Sequence, residues 1–166
     1  MTKKTQRGAA ILELAVLLPL LVVMLFGITE YGRAIYTYDT LAKSVRTAVR
    51  HLTVHSAGDP VSQAEARCLV VTGDYTTAGG ITTCDGSPVA PGLTTAMVDI
   101  CDAANASACP GQPHSAVSTG SGVANLVTVR VTAYPFDSVM EFVLADTTFG
   151  NAASHTGIAV TMRQDL

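Results

Sequence analysis

Catalytic motifs are missing from this sequence of 166 residues, which also has no tryptophan and only 14% charged residues. It contains no serine–histidine–aspartate signature, no glycine-rich phosphate loop, no H-E-x-x-H segment and no paired catalytic carboxylates. Ser154 and His155 form an isolated dipeptide of the kind found in surface loops. The scattered aspartates lack the alternate-position spacing of a calcium loop. These absences predict a protein that is not an enzyme and uses no cofactor.

Cysteine is scarce, and its spacing is not that of a metal site. The four cysteines are Cys68, Cys84, Cys101 and Cys109. They include no C-x-x-C pair, and the four histidines do not alternate with them at ligand spacing, which argues against zinc. An even number of cysteines is typical of disulfides in an oxidising, exported compartment. Of the three possible connectivities we expect Cys68–Cys84 and Cys101–Cys109, and no metal site.

Positive charge is concentrated near the N-terminus and is sparse in the rest of the chain. Residues 1–8 carry three cations, residues 30–55 carry four cations and two acids, and residues 56–166 carry three cations and ten acids. An acidic C-terminal region repels phosphate, so nucleic acid is disfavoured as a partner. In the basic part, we expect Lys43, Arg46 and Arg50 to form a stripe that faces a protein partner.

One long apolar segment, residues 9–29, dominates the N-terminal part. As a helix, its about 21 residues span roughly 31 Å, which is the thickness of the hydrocarbon core of a bilayer. The cations Lys3, Lys4 and Arg7 precede it, so the N-terminus is predicted to stay in the cytoplasm while the rest is exported. The predicted parts are a cytoplasmic leader (1–8), a transmembrane helix (9–29), an amphipathic stem (30–55) and a head (56–166).

Glu13 is the only charged residue within this apolar segment. An ionisable group in a membrane span is unfavourable and rare, so it indicates function. The alternative is a carboxylate that snorkels to the headgroups or is protonated. Pro19 removes a backbone donor in the same segment. It is either a harmless kink or a point where the span must bend or partly melt.

Apolar residues recur at three- and four-residue spacing beyond this segment, which predicts that the helix continues to about Thr53. They are Tyr31, Ala34, Ile35, Tyr38, Leu41, Ala42, Val45, Val49 and Leu52. Asp39 and Lys43 have the spacing of an i, i+4 ion pair. A helix of about 45 residues is too long for an ordinary globular helix. We therefore expect the rest of the chain to cover its apolar stripe.

The C-terminal region is predicted to contain mainly short strands. Gly58, Asp59 and Pro60 end the stem. Helices are expected over residues 61–67 and from Asp137 or Ser138 to Leu144. Strands are expected over residues 68–71, 81–84, 97–101, 125–134 and 157–163. This order predicts an α+β fold in which a small antiparallel sheet packs on the long N-terminal helix.

Two N-terminal segments resemble a known family. Residues 7–19 (RGAAILELAVLLP) and 27–33 (GITEYGR) are similar to the N-terminal signature of TadE-like proteins. These are the minor pilins or pseudopilins of tight-adherence (Flp-type) type IV pilus systems. Residues 127–131, 134–136 and 159–163 look like the C-terminal strands of the same family. The resemblance implies a pilin-like arrangement of helix and sheet.

The resemblance also implies processing and partners. A membrane aspartic prepilin peptidase would cleave after Gly8 on the cytoplasmic side and make Ala9 the new N-terminus. The other implied partners are the major Flp pilin, other minor pilins and the inner-membrane assembly platform. Major pilins carry Glu-Tyr where this chain has Glu13-Leu14, which favours a minor pilin that initiates or caps assembly. Glu13 would pair with the Ala9 ammonium of a neighbouring subunit and set the axial register.

Two other functions are compatible with the sequence. One is a signal-anchored periplasmic module that binds a protein through its acidic head. The other is a secreted, disulfide-bonded protein cleaved near Ala34, although Glu30 and Arg33 crowd that site. As a pilin, the protein is expected in the inner membrane with a periplasmic head, and at the cell surface after assembly.

Overall fold

The fold is built on one helix that is far longer than any other element. The computed structural model describes residues 6–106, 109, 111–120, 122–139, 148–150 and 157–165. The helices are α1 (Gln6–Leu52) and α2 (Pro60–Val71). The strands are β1 (Tyr75–Ala78), β2 (Ile81–Cys84), β3 (Val98–Cys101), β4 (Val117–Ser118), β5 (Val123–Val131), β6 (Tyr134–Pro135), β7 (Thr148–Phe149) and β8 (Ile158–Gln164). This confirms the predicted α+β class.

Helix α1 is continuous from the apolar segment into the stem, as its periodicity predicts. Pro19 lies inside it, and the helix extends on both sides of the proline. Asp39 and Lys43 form the expected ion pair, with 2.6 Å between Lys43 Nζ and Asp39 Oδ2. Both side chains are more than half exposed. The pair therefore stabilises the helix by only about 0.3 kcal/mol.

The hydrophobic core lies between the C-terminal part of α1, helix α2 and the strand β5. Helix α1 contributes five buried side chains: Leu41, Val45, Ala48, Val49 and Leu52. Strand β5 contributes Val127, Val129 and Val131, and all three are fully buried. The core thus forms against about the last three turns of α1.

The apolar stripe of the stem is covered only in part. Tyr31, Ile35 and Tyr38 belong to the predicted stripe, but each remains more than half exposed. The expectation that the head covers the whole stripe is therefore wrong for its N-terminal half. The β5–β8 pair packs against α1, and the buried apolar residues of the helix lie between Leu41 and Leu52.

Helix α2 corrects one sequence prediction. Residues 68–71, expected as a strand, are the last turn of α2. The helix is capped at its start by the Asp59 side chain, which accepts hydrogen bonds from the backbone N–H groups of Val61 and Ser62. Val70 and Val71 are buried in the core formed with α1. Burial in this helix–helix contact outweighs the β-propensity of two adjacent valines.

The main sheet is antiparallel, with β5 at its centre. Strands β3 and β8 flank β5, so that Val129 lies opposite Ile100 on one side and Val160 on the other. Strands β1 and β2 form a separate hairpin whose turn is Gly79–Gly80. Both glycines have positive φ (60° and 81°), which a two-residue hairpin turn of this hand requires. The predicted strands 81–84, 97–101 and 157–163 are confirmed to within one residue at each end.

The predicted strand 125–134 is broken near its end. Strand β5 stops at Val131, and Ala133 has a φ of +53°, which is incompatible with a continuous strand. Beyond this turn, Tyr134 and Pro135 pair with β7 instead. Of the helix predicted to begin at Asp137 or Ser138, residues 137–139 are not helical, and the remainder lies outside the described residues.

Both disulfides expected from the sequence are present. Cys68 on α2 is joined to Cys84 at the end of β2, and Cys101 at the end of β3 is joined to Cys109. The bridges close loops with sequence separations of 16 and 8 residues. By the chain-entropy relation, these closures stabilise the fold by about 3 and 2.5 kcal/mol. The first bridge holds the β1–β2 hairpin against α2.

Candidate functional site

The N-terminal half of α1 carries an exposed apolar surface. Fourteen large apolar side chains between Ile11 and Ile28 are 39–71% exposed. A window of 18 residues in this helix has a mean hydropathy of 2.7, and none of it is buried against the head. A surface of this size marks contact with a membrane or with other proteins. Length and composition make the helix a candidate membrane anchor, a description that a signal sequence at this position also fits.

Gly8 and Ala9 lie in the first turns of α1, and both are exposed. A Cβ atom added to Gly8 would have no described atom within 4 Å. Glycine inside a helix is less favourable than alanine by about 0.5–1 kcal/mol. Packing within the described chain thus gives no reason for glycine at this position, so a requirement for it would come from a partner.

Glu13 projects from the exposed surface of α1, four residues after Ala9. In a helix this spacing places the two residues on the same face with an axial rise of about 6 Å. Among the described residues, Glu13 has neither a hydrogen-bond partner nor an ion-pair partner. Its carboxylate is therefore available to a group from another molecule.

Glu30, directly after the apolar segment, connects α1 to the head at a point before the hydrophobic core begins. Its side chain is only 4% exposed, and it is the first buried one that the structure describes in α1. Arg33 Nη1 donates to both carboxylate oxygens at 3.0 Å. From the head, the backbone N–H of Val139 donates to Oε1 at 3.1 Å. We call Glu30, Arg33 and residues 136–139 the clamp.

Arg33 completes the clamp from its other side. Its guanidinium carbon lies 5.6 Å from the ring centroid of Phe136, within cation–π range. Phe136 packs in turn on Phe149, which makes an edge contact with Tyr38 of α1 at 5.9 Å between centroids. The clamp attaches the head to α1 about two to three turns N-terminal to the core, and the rings continue this contact to Tyr38.

The charge of Glu30 is stabilised in the folded protein. Burial raises the pKa of this carboxyl, but hydrogen bonds from Val139, Arg33 and Ser138 and the positive charge of Arg33 outweigh it. The pKa is consequently held below its ordinary value of 4.5. A carboxyl whose pKa is lowered by folding contributes stability above its unfolded pKa and loses it as the pH falls through the folded pKa.

We expect Glu30→Gln to lower the thermal unfolding midpoint near pH 7, because Arg33 then lacks its anion and the clamp lacks its charged acceptor. The difference from the wild type should shrink as the pH falls below 4.5. Circular dichroism of the detergent-solubilised proteins between about pH 7 and pH 3 measures it. Asp39→Asn, which removes an exposed ion pair, is the control and should change little at any pH. A difference that is independent of pH would contradict the assigned role of the Glu30 charge.

The predicted basic stripe is exposed on the side of α1 away from the core. Lys43, Arg46 and Arg50 are all exposed. Lys43 is paired with Asp39, whereas Arg46 and Arg50 have no ion-pair partner in the described part of the chain. Two cations of the stripe are therefore free of ion pairs within the described residues.

The clamp is not among the sites predicted from the sequence. Glu30 and Arg33 are noted there as charges that crowd a signal-peptidase site and as part of the segment 27–33. A signal for Glu30 exists, since it is an acid directly after an apolar run with a cation at i+3. The other half of the clamp comes from a segment about 105 residues later, which no local pattern connects to α1.

A comparison with protein families finds one match that covers this surface. The model of the family described as TadE-like protein matches residues 8–50, about a quarter of the chain. The match begins at Gly8, includes Glu13, Glu30 and Arg33, and ends at Arg50, so the C-terminal strands lie outside it. No curated protein and no solved structure matches the chain. Over residues 8–50, the chain carries the sequence signature of the TadE-like family.

Proposed function

We propose that this protein is a minor pilin or pseudopilin of a tight-adherence (Flp-type) pilus, processed after Gly8, which initiates or caps assembly. The observation that carries the proposal is the family match that starts at Gly8 and runs along α1. This helix combines an exposed apolar surface with one unpartnered acid at Glu13. Its role is structural, in keeping with a pilus-associated family.

In this proposal, the apolar half of α1 serves twice. It first anchors the precursor in the inner membrane, with residues 1–8 in the cytoplasm and the head in the periplasm. It then packs against the helices of other pilins, because the same surface is not covered by its own head. Membrane helices associate through packing and polar contacts rather than through the hydrophobic effect.

Glu13 supplies the polar contact. Cleavage after Gly8 converts the Ala9 amide nitrogen into an ammonium group. The ammonium of one subunit pairs with the Glu13 carboxylate of a neighbour that is displaced along the filament axis. An unpaired charge in an apolar bundle is unfavourable by several kcal/mol, so the pair favours one axial register.

The clamp supports a role at the end of a filament. Glu30 and Arg33 attach the head directly above the apolar segment. Residues 56–166 then form a bulky head next to the packing surface, which suits a subunit present in few copies better than the repeating major subunit. The proposed partners are the major pilin, other minor pilins, the assembly platform and the prepilin peptidase.

The two alternatives differ from this proposal at the N-terminus. In a secreted form cleaved near Ala34, signal peptidase would have to unwind the middle of α1, and the cut would remove Glu30 and Arg33 from the segment 136–139 that they hold. A signal-anchored module would keep its leader. The continuous helix therefore argues against cleavage of the peptide bond after Ala34.

Mass spectrometry of the mature N-terminus, from cells that make the protein at its normal level, tests the proposal. We expect the mature chain to start at Ala9. A chain that retains Met1 would support the signal-anchored module, and a start near Ile35 would support the secreted protein. Either result would overturn the pilin proposal.

A further inference from the structure

A second group of polar side chains lies at the C-terminal end of α1, where α1, α2 and β1 meet. It consists of His51 in the last turn of α1, His55 just after it and Glu65 on α2. His51 Nε2 lies 3.0 Å from Glu65 Oε2, and the candidate ligand atoms of the three residues all lie within 4.8 Å of one another. The side chains of His51 and Glu65 are 17% and 13% exposed. A small ion can therefore reach the group, but bulk water is largely excluded.

The hydrogen bonds around His55 orient one of its nitrogens as a ligand. His55 Nδ1 lies 2.7 Å from the backbone carbonyl oxygen of His51. A carbonyl oxygen only accepts, so Nδ1 carries the proton and Nε2 of the neutral ring keeps its lone pair. The Gln164 side chain donates to the His55 carbonyl at 2.8 Å and holds this residue beyond the helix end.

Glu65 is oriented in a similar way from β1. Thr77 Oγ1 donates to Glu65 Oε1 at 2.8 Å, which directs the other oxygen, Oε2, towards His51. Hydrogen bonds of this kind, from a carbonyl to an imidazole and from a hydroxyl to a carboxylate, are typical of metal ligands and their surroundings.

We propose that His51, His55 and Glu65 bind a divalent transition-metal ion, with zinc as the best fit. Two imidazoles and one carboxylate form a common zinc ligand set that leaves a fourth position open. Calcium and magnesium are disfavoured because they prefer six or more oxygen ligands. The ion takes the place of the direct contact between His51 Nε2 and Glu65 Oε2 and links the end of α1 to α2. This proposal does not depend on the pilin function.

This group differs from the prediction of no metal site, which rested on the spacing of histidines relative to cysteines and of aspartates relative to one another; His51, His55 and Glu65 fit neither pattern. A second group, Cys101, Cys109 and His114, also brings potential ligands together. Its two sulfurs are joined in a disulfide and are therefore not thiolate ligands. Both ring nitrogens of His114 are already engaged in hydrogen bonds, with the Gln112 carbonyl and the Thr128 hydroxyl. We therefore assign the metal to the His51 group.

Zinc titration of the full-length protein in detergent, after removal of metals with a chelator, tests the proposal. Competition with a chromophoric zinc indicator should give one site with a dissociation constant of about 1 μM or lower. His55→Ala and Glu65→Gln should each weaken zinc binding by more than about 100-fold, and Thr77→Val by about 10–100-fold. Asp39→Asn removes an exposed carboxylate from the same helix and should leave the affinity unchanged.

Loss of zinc binding has to be distinguished from misfolding of a variant. Circular dichroism and disulfide mapping establish that each variant keeps the fold. X-ray absorption at the zinc edge of the wild-type protein should show only nitrogen and oxygen neighbours, with the scattering pattern of two imidazoles. Sulfur neighbours, a signal without imidazole, or an affinity that Glu65→Gln does not reduce would each overturn the proposal.

Discussion

Gly8→Leu is expected to leave the protein as a full-length precursor in the membrane, with no mature chain detectable. A peptidase that cleaves after Gly8 must bring its catalytic groups close to this backbone, and a side chain larger than hydrogen obstructs the approach. The first turns of α1 also have to unwind for cleavage, which leucine opposes because it favours helix more than glycine does. Mass spectrometry of the N-terminus, with the ratio of precursor to mature protein on a gel, measures the effect.

Gly32→Leu is a matched control in the same helix. A Cβ atom at either glycine has no described atom within 4 Å, so close packing in the described chain does not require glycine at either position. If cleavage occurs after Gly8, Gly32→Leu should be processed like the wild type. If signal peptidase instead cleaves after Ala34, Gly32→Leu should block processing, because the enzyme needs a small residue two positions earlier. Normal processing of Gly8→Leu would contradict the proposed prepilin site.

Glu13→Gln should be inserted and processed but should fail to join other pilins. Loss of the charge makes the apolar segment easier to insert. In the assembled bundle, however, the Ala9 ammonium of a neighbour is left without its partner. Breaking a buried ion pair from one side is unfavourable by about 3–5 kcal/mol, which corresponds to a decrease of about 100-fold or more in co-assembly.

Co-purification of the processed variant with the pilus machinery, together with a count of surface pili, measures the loss. Glu13→Asp keeps the charge on a side chain shorter by one methylene, so it should retain part of the assembly. A carboxylate that merely snorkels to the headgroups predicts no change for either variant. Wild-type piliation by processed Glu13→Gln would therefore favour the membrane-anchored binding module.

Much of the long helix could be predicted because its causes are local. The apolar run and the three- and four-residue spacing up to Leu52 are properties of neighbouring residues, and α1 follows them to within one residue of the predicted end. The Asp39–Lys43 pair depends on the same spacing. Each disulfide also joins one cysteine to the next cysteine along the chain, and the entropy cost of loop closure is lowest for such short separations.

Predictions failed where distant contacts decide the outcome. Val70 and Val71 look like a strand by themselves, but they complete a helix because that helix is buried against α1. Likewise, Tyr31, Ile35 and Tyr38 stay more than half exposed because the core forms against the last turns of α1. How far this packing extends cannot be read from the periodicity of the stem.

The sequence by itself determined the apolar helix, its isolated acid at Glu13 and the α+β class, because each follows from local pattern and composition. Only the tertiary structure decided that Glu30 holds the segment 136–139 and that His51, His55 and Glu65 converge. In both groups, the contacting residues belong to separate elements and are 10 to more than 100 residues apart in the sequence. Such contacts depend on how helices and strands pack. The packing energy is shared among many side chains and is not encoded in any one motif.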